Sequence, residues 1–218
     1  MATAPDIYVY KMVTDNGGAP CVHRGMLSLA ICKPKIRKTA KRGALVFGFG
    51  GRRLGGRLIY VAKVTEKPCV GDYYRKKRFH GRPDCIYRKR KVDNKPKPIK
   101  DAKFHYQSDE SGKDVGRDFK KAYVLLSTDF RYFGKAGTTD YSEQYKALSK
   151  MLSRLTQGHR RNHNKKVREE LCQLKMKLWK NFPRSKIGKP SDRDKSRRCN
   201  ADTPSVRCSV SRRSTRIS

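Results

Sequence analysis

Acidic side chains are what this chain has least of for its charge. In 218 residues, 19 Asp and Glu face 54 Lys and Arg, a formal net charge of +35. So one-sided a protein repels itself and calls for a polyanionic partner. Nucleic acid is the first candidate and an anionic membrane surface the second. No run of about 18 apolar residues exists, which excludes a membrane-spanning helix. The first twelve residues, MATAPDIYVYKM, lack the apolar core of a signal peptide. Seven cysteines at irregular spacing read as reduced thiols rather than a disulfide framework. These absences together imply an intracellular protein, cytoplasmic or associated with a nucleoid or nucleus, with no membrane partner.

Chemical signatures are also missing. Cys21-x-His23 has no second pair at zinc spacing, and Cys69, His80 and Cys85 are scattered. No metal or other cofactor is expected. No nucleophile elbow, HExxH or Cys–His motif appears, so a catalytic reaction cannot be read from the spacing. The glycine-rich stretch at 48–56 fails both phosphate-loop patterns. Arg53 stands where a dinucleotide fingerprint needs its third glycine, and Gly56 follows Gly55 where a P-loop needs lysine.

What is present is organised around residues 43–65, GALVFGFGGRRLGGRLIYVAKVT. Leu45, Phe47 and Phe49 alternate with smaller residues, and the run from Arg57 to Thr65 is rich in β-branched and aromatic side chains. Two strands joined by an arginine-bearing loop follow. Strict alternation puts Leu58, Tyr60, Ala62 and Val64 on one face, and Ile59 and Val61 on the other. Further strands are expected over 6–13, 26–32, 101–106 and 121–127. Pro34 suits the first position of a short basic helix over 34–41. Residues 95–98, KPKP, read as an extended linker or an insertion. Apolar spacing predicts helices over 142–155, capped by Ser142, and over 164–182. From Pro183 hydrophobes nearly vanish, and 11 Lys and Arg face 3 Asp. That composition predicts a disordered basic tail.

Between Asp72 and Lys91, Tyr73, Tyr74, Phe79 and Tyr87 interleave with eight or so cations. Rings that stack on bases beside cations that meet phosphates suit single-stranded or flipped-out nucleotides. The plainer reading, aromatic core with a solvated basic face, stands beside it.

One ordered series of residues carries a resemblance. It runs through Tyr10-Lys11, Asp15, Gly18-Ala19-Pro20-Cys21 and Leu29-Ala30-Ile31-Cys32-Lys33-Pro34 with Ile36-Arg37. It continues through Gly48-Phe49-Gly50, Leu58–Val64, Arg82-x-Asp84, His105, Asp114-Val115-Gly116 and Phe130-x-Tyr132-Phe133-Gly134. Over residues 6–156 the chain resembles the second of the families called nucleotide modification associated domains. The strand order is also similar, at the level of architecture, to the PUA-like group of ASCH, EVE and YTH domains. These resemblances imply a mixed α+β fold. A small PUA-like β-barrel would occupy 1–140 and close over 6–134, with a helical extension over 141–182 and the tail over 183–218. They imply a nucleic-acid module that recognises a modified or flipped-out nucleobase, with components of a base-modification system as partners. An enzyme or enzyme subunit acting on a nucleobase, and a non-selective basic RNA-binding protein, remain open. The residues implied at the site are Lys11, Asp15, Cys21, Lys33, Arg37, Arg82, Asp84 and His105. Phe49, Tyr74, Phe130 and Tyr132 are the rings proposed to enclose the base.

Overall fold

The computed structural model describes residues 4–93, 95–99, 104, 115–156 and 158–192. Strands Ile7–Met12 (β1), Cys21–His23 (β2) and Met26–Leu29 (β3) precede helix Pro34–Thr39 (α1). Strands Leu45–Gly50 (β4) and Leu58–Lys63 (β5) form the expected hairpin. Helix Asp72–Arg75 (α2) and strands Tyr87–Lys89 (β6) and Pro96–Pro98 (β7) follow, then Leu125–Ser127 (β8) and Asp129–Tyr132 (β9). Helices Tyr141–Gln144 (α3) and Lys146–Arg154 (α4), strand His159–Arg160 (β10) and helix Lys165–Asn181 (α5) complete the order.

Five strands make a mixed sheet in the order β10-β1-β4-β5-β9, in which β1 and β4 are parallel and the other pairs antiparallel. The parallel pair forces a crossover, and β2, β3 and α1 provide it. They cover one face of the sheet, where β2, β3 and β8 form a three-stranded antiparallel sheet. Tyr8, Tyr10, Met12, Tyr60 and Tyr132 of the large sheet pack there with Leu27, Leu29 and Ile36. On the other face Ile7, Val9, Phe47, Phe49 and Val61 meet α4 and α5 through Leu148, Met151, Leu171 and Leu174. The class is α+β as expected, in layers rather than as a barrel.

The closed barrel over 6–134 is not formed. The two sheets touch where Glu66 bridges Leu126, but among the described residues no ladder joins β2 to β10. Parallel pairing of β1 with β4 leaves β1 to end against the two-residue β10, and that edge is backed by helices instead of by more strands. Residues 96–98 are likewise not a linker, since Tyr87 pairs with Pro98 and Lys89 with Pro96 in a hairpin. Both prolines sit in a two-stranded ladder, the edge position where a missing N–H costs little.

A bulge overturns the strict alternation in β5. Phe47 pairs with Val61 and Gly48 with Tyr60, but Phe49 pairs with Leu58, so Ile59 is the extra residue. Leu58 therefore joins Val61 on the helix side, while Ile59 joins Tyr60 and Ala62. Gly48 makes room for this arrangement. A Cβ there would stand 2.3 Å from Cε1 of Tyr60, whose ring crosses over the bare backbone.

The helix expected over 142–155 is broken at Tyr145, whose backbone (φ −117°, ψ 75°) separates α3 from α4. Ser142 does not cap α4. Buried Glu170 of α5 does so from outside, accepting from the amides of Leu148 at 2.6 Å and Ala147 at 3.4 Å. α5 has a conventional cap, with Asn164 Oδ1 accepting from Val167 N. Among the described residues no helix is long and apolar enough to cross a membrane.

The first ten residues assigned to the tail are built into the fold. Tyr132 N donates to the Ser185 carbonyl, Ile187 N to the Tyr132 carbonyl and Lys135 N to the Lys189 carbonyl. Composition misplaced this strap because its order comes from backbone hydrogen bonds, to which polar and basic residues contribute as well as any. The remainder, 193–218, lies outside the described residues, as do His105 and nearly all of the strand expected over 101–106.

Candidate functional site

Two buried polar clusters gather most of the residues singled out above. The first centres on Asp84, which is fully buried. Tyr73 OH donates to its Oδ1 at 2.6 Å and Ser28 Oγ to its Oδ2 at 2.5 Å. Arg82 Nε lies 3.6 Å from Oδ1 and donates to Tyr73 OH at 2.9 Å. The rest of the guanidinium donates to Ser28 Oγ and to the carbonyls of Cys21, His23 and Met26. Arg82 thus ties the β2–β3 hairpin to the loop after α2. Burial pushes the Asp84 carboxyl up, against the pull of Arg82 and the two hydroxyls. Burial, then Asp84, pushes the Cys21 thiol up as well, so it stays protonated and is a poor nucleophile.

The second cluster lies at the end of β1. Tyr132 OH donates to Asp15 Oδ1 at 2.7 Å, and Asp15 is 1% exposed. The strap reaches this acid too. Ser191 N donates to Asp15 Oδ2, Asp15 N donates to Asp192 Oδ2, and Asp192 N donates to the Asp15 carbonyl. Arg53, from the glycine-rich loop, holds both oxygens of Asp192 at 2.9 and 2.7 Å. The arginine that broke the dinucleotide pattern is a bidentate clamp on the strap.

Beside these lies a strained turn. Cys32 (φ 58°) and Lys33 (φ 46°) are both left-handed, at a cost of about 1–3 kcal/mol each. Arg37, buried on α1, pins the turn by donating to the Cys32 carbonyl at 2.6 Å and to the Tyr123 carbonyl at 2.8 Å. The turn sets the Lys33 ammonium 4.7 Å from the centre of the Tyr10 ring. Tyr10 and Tyr60 join hydroxyls at 3.0 Å. The Tyr10 hydroxyl is pushed well up, first by burial, then by Tyr60, Cys32 and Asp15.

The structure therefore places Cys21, Arg82 and Asp84 in one cluster and Asp15 and Tyr132 in another, with Lys33 on a turn that Arg37 pins. It does not gather the rings. Phe49 packs on the helix side against Tyr141, Tyr74 stacks on Phe119 near α2, and Phe130 is buried in the core between the sheets. Lys11 alternates with Tyr10 and so belongs to the opposite face of β1. Tyr10, Cys32, Arg53 and Asp192 escaped the sequence reading as site residues. No glycine or asparagine marks the left-handed turn, and Asp192 sits in a run that looks like solvated tail. Among the described residues no three His, Cys, Asp or Glu side chains stand close enough to hold a metal ion.

Histidines add a pH dependence. Burial is the main cause that lowers His159 and His163, helped by Lys35 and Lys33 for the first and by Arg160 and Arg168 for the second. His23 is lowered in the same sense, by burial and by Arg82 and Arg24. A lowered folded value means that the neutral ring is the native one. The stability this contributes is present above the ordinary value of 6.5 and is lost as the pH falls through the folded values. The urea midpoint is expected to be lower at about pH 5.5 than at about pH 7.5, and His163→Gln to flatten the change. Equal midpoints for the wild-type protein would contradict it.

Comparison with known proteins adds one match. The family model of nucleotide modification associated domain 2 matches residues 4–197. No curated protein and no solved structure matches the chain.

Proposed function

The chain belongs to the nucleotide modification associated domain 2 family, and from that premise we propose that it recognises a nucleobase for a nucleic-acid modification system. The base is held at the end of β1, between the Cys32–Lys33 turn and the Asp15–Tyr132 pair. The observation that supports this reading best is the turn itself. Two left-handed residues without glycine are costly, and such strain persists where the surroundings enforce it, commonly at ligand sites. Here buried Arg37 enforces it, and the product is an ammonium fixed over a tyrosine ring. Asp15 and Tyr132, each 1% exposed and bonded to one another, form the floor of the site. Lys33 supplies a cation for the flanking phosphate or for an electron-rich substituent. Cys21, Arg82 and Asp84 form the buried frame behind them.

Lys33→Asn tests this with the backbone kept, because asparagine tolerates the left-handed region. Oligonucleotides carrying plain and modified bases are titrated into wild-type and variant protein, and the same samples are assayed for altered bases by mass spectrometry. Loss of about tenfold in affinity for the preferred oligonucleotide, with plain sequences little changed, is expected. Uniform weakening of every oligonucleotide would leave only a phosphate grip. An altered base in the wild-type sample would establish the enzyme reading in place of recognition alone.

A further inference from the structure

On the side of the large sheet away from the Lys33 turn, α4, β10 and the start of α5 leave a cleft of about 300 Å³. Its cations come from separate elements. Lys150 and Arg154 stand on α4, one turn apart, and Arg160 stands on β10. All three are exposed, and none makes an ion pair among the described residues. Met151 and Val167, both buried, line the cleft between them. No acid lines it. Glu170, on the same side of α5 as Val167, is turned to the amides that begin α4. Arg161, next in sequence to Arg160, is neutralised by Asp6. The first turn of α5 adds Lys165 and Lys166 and holds no acid.

Unpaired cations are common in a chain of charge +35, and by themselves they mark nothing. Concavity distinguishes these three. Low-dielectric walls focus the field of converging like charges, which an open basic face does not do. His163, on the wall, is tied to the sheet by its Nε2, 3.1 Å from the Ile7 carbonyl.

We propose that this cleft takes one sugar–phosphate unit of a nucleic-acid strand, its phosphate held by Lys150, Arg154 and Arg160 and its sugar lying over Met151 and Val167. The inference rests on the reading above that the chain works on nucleic acid, and it gives the strand a grip separate from the base site. A phosphate contact of this kind sets register and carries no sequence information.

The test is the salt dependence of oligonucleotide binding by the full chain, followed by fluorescence anisotropy with single-stranded and duplex DNA and with RNA. Each phosphate neutralised contributes roughly 0.7–0.9 to the slope of log K against log salt. The triple variant Lys150→Gln, Arg154→Gln, Arg160→Gln is expected to flatten that slope by about two to three with at least one of these strands. The control triple Lys89→Gln, Arg90→Gln, Lys91→Gln removes the same charge from the β6–β7 hairpin and is expected to change it less. Thermal melts of both variants verify the fold, since the substituted side chains of the cleft are exposed. If the wild-type protein binds oligonucleotides and the two triples flatten the slope equally, the cleft assignment is overturned while the functional reading stands. If the wild-type protein binds no oligonucleotide at any salt concentration, both fall.

Discussion

Replacing Asp84 with alanine is expected to cost about 3–5 kcal/mol, the usual penalty for leaving a buried charge without its partner. Arg82 is the charge left behind. It is 8% exposed, and its neighbours besides Asp84 are neutral hydroxyls and carbonyls. The loss extends to Tyr73, whose hydroxyl would lose its acceptor in a site closed to water, and to Ser28, left with only the Cys21 carbonyl at 3.3 Å. The local consequence is loosening of the β2–β3 hairpin, which Arg82 holds through three of its carbonyls. Urea unfolding measures the total. A double variant, Asp84→Asn with Arg82→Gln, is expected to lose less than the sum of the two single changes, because the second removes the charge that the first strands. Strict additivity, or an Asp84→Ala cost below about 1 kcal/mol, would show that the cluster does not hold the fold.

Gly188→Ala is expected to release the strap that reaches Asp15. A Cβ at 188 would lie 1.9 Å from the Phe133 carbonyl oxygen and 3.0 Å from its carbon. Both are backbone atoms of the segment after β9, so no flexible side chain can give way. Overpacking of this kind costs about 1–3 kcal/mol, and here it is paid where a few backbone bonds hold ten residues. Arg184 and Lys186 are trypsin sites within the strap, whereas Pro190 shields the bond after Lys189. Cleavage there tracks the open population, so it is expected to accelerate about ten- to hundredfold. With the strap open, Asp15 loses Ser191 and Asp192 but keeps Tyr132. Base discrimination should weaken in the same variant, whereas the salt slope set by the α4–α5 cleft should not. Unchanged trypsin cleavage would mean that the strap is not held at Gly188.

Local pattern was enough for much of this protein. The β4–β5 hairpin follows from alternating rings and β-branched residues around a glycine loop, and α5 from its leucine stripe and from Asn164 at its start. Pro34 at the head of α1 was legible for the same reason: its preference is a property of one residue and its own backbone. The ordered series of short motifs through Asp15, Lys33-Pro34 and Arg82-x-Asp84 was sufficient to identify the family. Partners across the chain were not legible. Asp84 needs Ser28 and Tyr73, Asp15 needs Tyr132 and Asp192, and Arg53 needs a residue 139 positions away. The bulge at Ile59 reverses two faces that alternation assigns with assurance, and only the pairing of β5 with β4 creates it. The rings chosen to enclose a base were chosen for their chemistry, yet burial in three separate cores dispersed them. Periodicity and charge act between neighbours in sequence, so a single chain displays them. Register, strain and the pairing of buried polar groups arise when distant segments compete for the same space, and only the folded structure resolves that competition.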